Sequence, residues 1–220
     1  MPENLSATIH LLGDILGQTI TMLESAGLLD TEEKIRKASK DRRSGDEAAL
    51  KTLTSLVSDL KTDSARAVAS AFTIFFDLVN LAEENDRVYA MRMEEKNLFP
   101  DAIPGSIGEA FSQIKKSGVR TREMASLIES LSIELVLTAH PTEAKRRTIL
   151  SKHRHIAEIL DNLYKSDISP ILSGKYIDDL RREICALWLT DRNRTISPAV
   201  TDEVRTGLYY IDEIFWKLLP

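Results

Sequence analysis

Apolar residues in the first part of the chain recur at intervals of three and four positions, the spacing of one face of an α-helix. The first such set is Leu5, Ile9, Leu12, Leu16, Ile20 and Leu23. We predict a helix over this set, with Gly27 as its C-terminal cap. A second helix is predicted to begin near Asp46, with Leu50, Leu53, Val57 and Leu60 on one side.

A stronger apolar stripe follows, and it predicts a long third helix. Its members are Val68, Phe72, Phe75, Phe76, Val79 and Ala82, after which the chain turns polar over residues 83–86. Ser106 with Glu109 has the pattern of a capping box and predicts another helix start, and Thr121 begins one more through Ile128. Segments rich in charge, Pro, Gly or Ser predict loops at Ser39–Gly45 and Asn97–Gly105.

One segment departs from the helical pattern. Over Ser132–Thr138 apolar and other residues alternate, and Pro141 follows closely, which disfavours helical geometry at His140. We therefore predict a single buried strand here. Helical spacing returns after Thr142, through Ile149, Ile156, Ile159, Leu160 and Leu163, and two further helices are predicted over 171–190 and 200–218, separated by Pro198.

Composition narrows the class of protein. The chain has 220 residues, 29 Lys and Arg against 34 Asp and Glu, a net charge of −5 and 43% hydrophobic residues. Such a chain can build a core, and its acidic balance argues against a dedicated nucleic-acid binder.

The single cysteine, Cys185, excludes an intramolecular disulfide and a Cys-based zinc site, and we interpret it as a small buried hydrophobe. Since about 18 apolar residues nowhere run together, we expect no membrane span and a cytoplasmic protein.

The predicted strand–turn–helix unit holds the candidate chemistry. It places His140 at the carboxyl end of a strand, where ligands bind in open α/β sheets and barrels. Nearby cations would keep its imidazole neutral and able to accept a proton. We interpret His10, His153 and His155 as exposed, and no two histidines stand with a carboxylate at metal-ligand spacing.

A run of basic residues follows His140. Between Ala144 and Ala157 there are five Lys or Arg residues and two His. The cations are Lys145, Arg146, Arg147, Lys152 and Arg154. They indicate an anion site, preferably for phosphate, beside the start of a helix. The alternative is a solvated basic face that pairs with acids elsewhere in the chain, and spacing alone leaves both interpretations open.

Residues 135–143 read Leu-Val-Leu-Thr-Ala-His-Pro-Thr-Glu, and Arg146-Arg147 follow them. This segment resembles the first active-site signature of phosphoenolpyruvate carboxylases. Similarity to this family extends over essentially the whole chain. It includes Leu12-Gly13, Leu16-Gly17 and Thr19-Ile20; Ala71-Phe72 and 80–83; and Trp188, Thr190-Asp191, Arg194, Pro198, Asp202-Glu203, Gly207, Trp216 and Pro220.

The resemblance implies carboxylation of phosphoenolpyruvate by bicarbonate to oxaloacetate and phosphate, with Mg²⁺ or Mn²⁺. In the family bicarbonate attacks the phosphoryl group, and the resulting carboxyphosphate breaks down beside an enolate that captures CO₂. The essential histidine of the motif corresponds to His140, with a role at the carboxyphosphate proton. Arg146 and Arg147 match an arginine pair near a sugar-phosphate activator site in plant relatives. A regulatory role is weakened here because Ser197 replaces an expected basic residue.

Length is the larger departure from the family. Family members are several times longer, and their metal-binding carboxylates, catalytic lysine and glycine-arginine loops correspond to nothing in these 220 residues. We therefore expect an N-terminal fragment that has no metal ligands of its own and does not carboxylate in isolation. The whole enzyme is expected to be a homotetramer without nucleic-acid or membrane partners.

The expected fold is mostly α-helical, the N-terminal part of a (β/α)₈-barrel enzyme with many extra helices. Residues 1–130 form the helical region, and residues 131–220 begin the barrel with its first strand near Ser132–Thr138. Two other functions stay open: a phosphocarrier in which His140 accepts a phosphoryl group, and a helical interaction module without chemistry.

Overall fold

The structure is a computed structural model, and it describes residues 4–132, 134, 146–165, 168–192 and 199–218. The described residues are mostly helical, as the sequence predicts, and none of them forms a strand. The predicted strand at Ser132–Thr138 lies, apart from Ser132 and Glu134, outside them. The strand and the barrel therefore stay predictions.

Nine α-helices are followed by a π-helical segment and a last short turn in the described residues. In chain order they are α1 (Leu5–Leu23), α2 (Ala26–Arg43), α3 (Glu47–Ser58), α4 (Thr62–Leu98), α5 (Ile107–Lys116), α6 (Thr121–Ser130), α7 (Arg147–Leu163), α8 (Pro170–Trp188) and α9 (Val200–Tyr210). The π-helical segment Ile211–Phe215 and α10 (Trp216–Leu218) continue directly from α9.

Several helices begin where the sequence offers a side-chain oxygen to the free backbone N–H groups of the first turn. The Asp46 carboxylate accepts from the backbone N–H of Ala48 at 2.9 Å, and Ser106 Oγ accepts from that of Glu109 at 3.1 Å. Both predicted helix starts are confirmed. The Glu109 carboxylate accepts from the backbone N–H of Gly105, one residue before the expected capping-box partner.

Two predicted boundaries are wrong. Gly27 does not cap α1 but lies in the first turn of α2, whose N-cap is Ser25. The predicted loop at Ser39–Gly45 is helical as far as Arg43, and only its last two residues turn. Basic residues in the last turn of α2 stabilise the negative end of the helix dipole, so the charge that suggested a loop supports the helix instead.

The chain divides into two compact units. Unit 1 comprises Met1–Glu83 and Lys145–Pro220, and unit 2 comprises Glu84–Ala144. The predicted division near residue 130 concerns where a barrel would begin, and it stays a prediction.

Unit 1 is built around an apolar core to which α1, α4, α7 and α8 contribute. The most buried large side chains are Leu12, Ile15, Ile20, Ile74, Leu78, Ile149, Ile156, Leu160, Leu163, Leu180, Ile184 and Leu187. The predicted apolar faces of α1 and α7 thus point inward. Cys185 is only half-buried, so its interpretation as a buried residue is wrong.

The predicted stripe on α4 is only partly correct. Val68 and Ala82 are buried, but Phe76 is 60% exposed, and the inward face runs through Ala71, Ile74 and Leu78 instead. The helix carries apolar residues around much of its circumference, so periodicity did not define a single inward face.

One helix among the described residues, α4, is long and apolar enough to cross a membrane by length and composition alone. Its most apolar window has a mean hydropathy of 1.4 and is 39% buried inside the protein. Core helices of soluble proteins meet the same criterion, and Ile74 and Leu78 of α4 belong to the core of unit 1. The expectation that no segment is apolar enough was therefore too strict, and this helix is weak support for a membrane span.

Unit 2 contains α5 and α6, in which no residue is buried. Ile107 of α5 and Leu127 of α6 are among their exposed apolar side chains. These helices satisfy their backbone hydrogen bonds internally but contribute nothing to a core in the described residues.

Candidate functional site

Of the three predicted site residues, the structure describes Arg146 and Arg147 but not His140. His140, with the whole motif over 138–142, lies outside the described residues. Arg146 and Arg147 are described, and they stand at the start of α7. Arg146 is the N-cap residue in an extended conformation, and Arg147 is the first helical residue.

The Arg146 guanidinium faces a carboxylate from another part of unit 1. Its Nη2 lies 3.5 Å from Oδ2 of Asp191, which follows the end of α8. The Arg146 side chain is 33% exposed and that of Asp191 is 65% exposed. The pair is thus open to solvent, where ion pairs contribute little to stability.

Arg147 is held in a different way. Its guanidinium carbon lies 5.4 Å from the centre of the Tyr209 ring on α9. This cation–π contact orients the guanidinium without neutralising its charge. Arg146 and Arg147 therefore meet different partners, a carboxylate and an aromatic ring.

The later cations of the basic run pair with acids. Lys152 Nζ donates to Glu183 Oε2 at 3.0 Å, and His155 Nδ1 lies 3.5 Å from Oε1 of the same residue. Further along α7, Arg154 donates to Glu213, which also accepts from Lys217 at 2.8 Å. These cations pair with acids elsewhere in the chain, as the alternative predicts, but only Arg154 is solvated, because the Lys152 side chain is largely buried.

Glu213 supplies negative charge beside Arg154 of α7 and Lys217 of α10. Its hydrogen bonds with Lys217 and Arg154 lower the pKa of the Glu213 carboxyl below its ordinary value. The carboxylate form is therefore favoured, and it offsets the charge of Arg154, which is one of the cations that the sequence suggests as anion ligands.

A buried charged cluster lies at the middle of α7. His153 Nε2 is 3.5 Å from Asp77 Oδ2 on α4, and Arg192 Nη2 donates to the same oxygen. The three side chains are only 10–17% exposed. His153 is thus largely buried, so its prediction as exposed is wrong, whereas His10 and His155 are exposed as expected.

Asp77 is the negative centre of this cluster. Burial raises the pKa of the Asp77 carboxyl, but its polar contacts with His153 and Arg192 outweigh burial and hold that pKa well below its usual range. The carboxylate therefore stays ionised inside unit 1. It joins α4, α7 and the segment that follows α8.

A polar cleft of about 610 Å³ adjoins the cluster in unit 1. Its lining includes Glu24, Arg66, Trp188, Asp191 and Arg192. Trp188 Nε1 donates to Glu24 Oε1 at 3.3 Å across this region, which ties α8 to the end of α1. The lining includes both acidic and basic side chains, so the cleft does not present one sign of charge to a ligand.

The resemblance implies Mg²⁺ or Mn²⁺ as a cofactor. Such ions take several oxygen ligands, usually with carboxylates among them. Within the described ranges, no group of three or more His, Cys, Asp or Glu side chains is arranged to hold a metal ion. The described residues therefore do not fit the metal.

Sequence reasoning missed the partners of the basic residues. These partners come from segments that are distant in sequence from α7, and they are Asp191, Tyr209, Glu183 and Asp77. A usable signal existed for Asp77, because a lone acid in the apolar stretch of α4 indicates a buried, paired carboxylate.

Comparison with known proteins identifies the family of this chain. The family model described as phosphoenolpyruvate carboxylase matches residues 5–220. The chain is 37% identical over 212 residues to a phosphoenolpyruvate carboxylase of Ectopseudomonas mendocina, covering 96% of this chain and 24% of that protein. It is 35% identical over 223 residues to the enzyme of Histophilus somni, covering 100% and 25%.

A third carboxylase, from Roseiflexus castenholzii, is 34% identical over 220 residues, covering 99% of this chain and 23% of the relative. These proteins are carboxylases, and the match runs through nearly every described helix. The chain belongs to the phosphoenolpyruvate carboxylase family. It spans about a quarter of the length of the relatives it matches.

Proposed function

We propose that this chain forms the part of a phosphoenolpyruvate carboxylase that supplies His140, and that the complete protein converts phosphoenolpyruvate and bicarbonate into oxaloacetate and phosphate. The observation that carries the proposal is the family match over residues 5–220, which includes the motif around His140. We place the protein in the cytoplasm and expect the complete enzyme to be a homotetramer.

His140 is proposed to manage the proton of carboxyphosphate as that intermediate breaks down. A neutral imidazole can accept this proton, and general acid–base groups of this kind accelerate reactions by about 10²–10⁴. Arg146 and Arg147 are proposed to bind an anionic phosphate group of a substrate or effector. Arg147 supports this role because its exposed guanidinium keeps its full charge against the Tyr209 ring.

These 220 residues are proposed not to carboxylate on their own. The chain spans about a quarter of its relatives, and its described residues do not fit the Mg²⁺ or Mn²⁺ that the complete enzyme is expected to use. The metal, when bound, would stabilise the negative charge of the enolate. Its ligands are expected in the part of the family that this chain does not match.

A chimeric enzyme tests the proposal. The chain would replace its aligned region in the Ectopseudomonas mendocina carboxylase, and oxaloacetate formation would be followed with Mg²⁺ and bicarbonate. We expect the chimera to be active and the relative lacking this region to be inactive. Activity of the relative without the region would contradict a catalytic contribution from this chain.

Substitutions in the chimera separate His140 from other histidines. We expect His140→Asn to lower kcat by at least about 100-fold, the lower limit for a general acid–base group. His10→Asn is the matched control, because His10 is exposed on α1, and it should leave kcat unchanged. A stable phosphohistidine at position 140 after incubation of the chain with phosphoenolpyruvate alone would favour a phosphocarrier instead.

A further inference from the structure

The carboxylate of Asp191 occupies a place that a bound anion would also seek. Its Oδ2 lies 3.5 Å from Nη2 of Arg146, the first of the two guanidinium groups at the start of α7. A guanidinium donates to carboxylate and phosphate oxygens with the same geometry. An anion approaching Arg146 therefore meets a negative charge that is already part of the protein.

Asp191 is kept beside Arg146 by the residues on either side of it. Before it, Thr190 Oγ1 donates to the backbone carbonyl of Ala186 at 2.7 Å, which holds the end of α8 in place. After it, Arg192 is largely buried and donates to Asp77 on α4. The chain is thus anchored immediately before and immediately after Asp191.

The Arg146–Asp191 ion pair is weak, so a bound anion can replace it. Asp191 is 65% exposed, and an ion pair so open to water adds little free energy. A phosphate dianion carries more charge than a carboxylate and accepts more hydrogen bonds, so it can displace this partner. Arg147 contacts the Tyr209 ring, which does not neutralise its charge, so that charge stays available to the same anion.

We propose that Asp191 is an internal competitor for anion binding at Arg146 and Arg147, held in position by the buried Asp77–Arg192 pair. This inference rests on the proposed anion-binding role of the two arginines. The new element is that the Asp191 carboxylate lowers the affinity of Arg146 and Arg147 for phosphate. Phosphate binding requires the Asp191 carboxylate to leave Arg146 or to remain close to a second negative charge.

Titration of the 220-residue chain with inorganic phosphate tests this. Binding would be measured by NMR chemical-shift changes of the Arg146 and Arg147 side chains at constant ionic strength, with chloride as the reference anion. We expect Asp191→Asn to tighten phosphate binding about three- to tenfold, the effect of removing one unit charge roughly 4–5 Å from the anion in a watery environment.

Two control variants distinguish local competition from a change of net charge. Asp178→Asn removes the same charge from an exposed aspartate on α8 that pairs with Arg181, and it should leave phosphate affinity within about twofold of the wild type. Asp191→Glu keeps the charge and should also stay near the wild-type affinity. Circular dichroism would establish that each variant folds.

Each outcome decides a different point. Tighter binding by Asp191→Asn alone supports the inference. Equal affinities for the wild type and Asp191→Asn overturn the competitor and leave the anion site standing. If neither the wild type nor any variant binds phosphate, the proposed role of Arg146 and Arg147 is wrong, and the inference falls with it.

Discussion

The imidazole Nε2 of His153 on α7 lies 3.5 Å from the carboxylate Oδ2 of Asp77 on α4. Arg192 donates to the same oxygen from the segment after α8. One buried acid thus joins three parts of unit 1, including the helix that follows the His140 motif. Unit 1 is held by this charged contact as well as by its apolar core.

Removal of the Asp77 charge should destabilise the protein strongly. In Asp77→Asn the Arg192 guanidinium stays largely buried without a carboxylate, and breaking a buried ion pair in this way costs about 3–5 kcal/mol. We expect the free energy of unfolding, measured by urea titration with circular dichroism, to fall by about 3 kcal/mol. This is the lower end of that range, because the Asp77 and Arg192 side chains are slightly exposed.

Asp178→Asn is the matched control for that measurement, because it makes the same chemical change in an exposed pair with Arg181. Its effect should stay below about 1 kcal/mol. Equal losses from the two variants would show that the Asp77 cluster has no special role in stability.

The same carboxylate predicts how stability depends on pH. The pKa of Asp77 is lower in the folded protein than its ordinary value of 3.8. Its stabilisation is therefore complete above 3.8 and is lost as pH falls below that value toward the folded pKa. The free energy of unfolding should decrease in this acid range.

The contribution of Asp77 can be isolated by comparing the wild type with Asp77→Asn at each pH. The difference in their free energies of unfolding should be largest above about pH 5 and should shrink toward pH 2, because Asp77 then binds a proton in the unfolded state while the folded protein still holds it ionised. A difference independent of pH down to 2 would contradict the low pKa.

The core of unit 1 can be tested within a single helix. Ile184 and Ile171 both lie on α8, but Ile184 is 0% exposed and Ile171 is 88% exposed. We expect Ile184→Ala to lower the free energy of unfolding by about 2–5 kcal/mol, because it removes buried methylene groups and leaves a cavity.

Ile171→Ala changes the same residue type at a solvated position, where surface substitutions usually stay within about 0.5 kcal/mol. Thermal or urea unfolding of the two variants provides the comparison. A large loss from Ile171→Ala would mean that α8 is packed on a different face.

A hydrogen bond between hydroxyl groups links α1 to the end of α7. Thr8 Oγ1 and Tyr164 Oη are 2.9 Å apart, and Thr8 is fully buried. Tyr164→Phe leaves the threonine hydroxyl without this partner, so we expect a loss of about 1 kcal/mol in the free energy of unfolding.

A double-mutant cycle measures this contact directly. Thr8→Val combined with Tyr164→Phe should cost less than the sum of the single changes, because the second change has no bond left to break. Tyr210→Phe, at an exposed residue, controls for loss of a hydroxyl. Strict additivity would show that the two hydroxyl groups do not interact.

The sequence predicted helices well where one face is apolar and the other polar. α1 agrees closely with its prediction because its apolar residues mark a single stripe from Leu5 to Leu23. On α4, phenylalanines extend the apolar surface beyond one face, so the sequence alone did not show that Phe76 would face solvent.

The candidate site was predictable only in part. Local spacing placed Arg146 and Arg147 close to a helix start, and the structure gives that start as Arg147. Their partners arise from tertiary packing; the Asp77–Arg192 contact, for example, joins residues 115 positions apart. Local periodicity carries no information about such pairings, which is why the acids facing α7 were left as an open alternative.

The hydrogen bond from Trp188 to Glu24 has a spectroscopic consequence. Trp188 packs against the core of unit 1, whereas Trp216, the other tryptophan of the chain, is 76% exposed. The two indoles therefore sit in media of different polarity, and an aqueous quencher such as iodide will reach Trp216 first. The emission that survives quenching belongs mainly to Trp188, which gives the α1–α8 junction an intrinsic optical reporter.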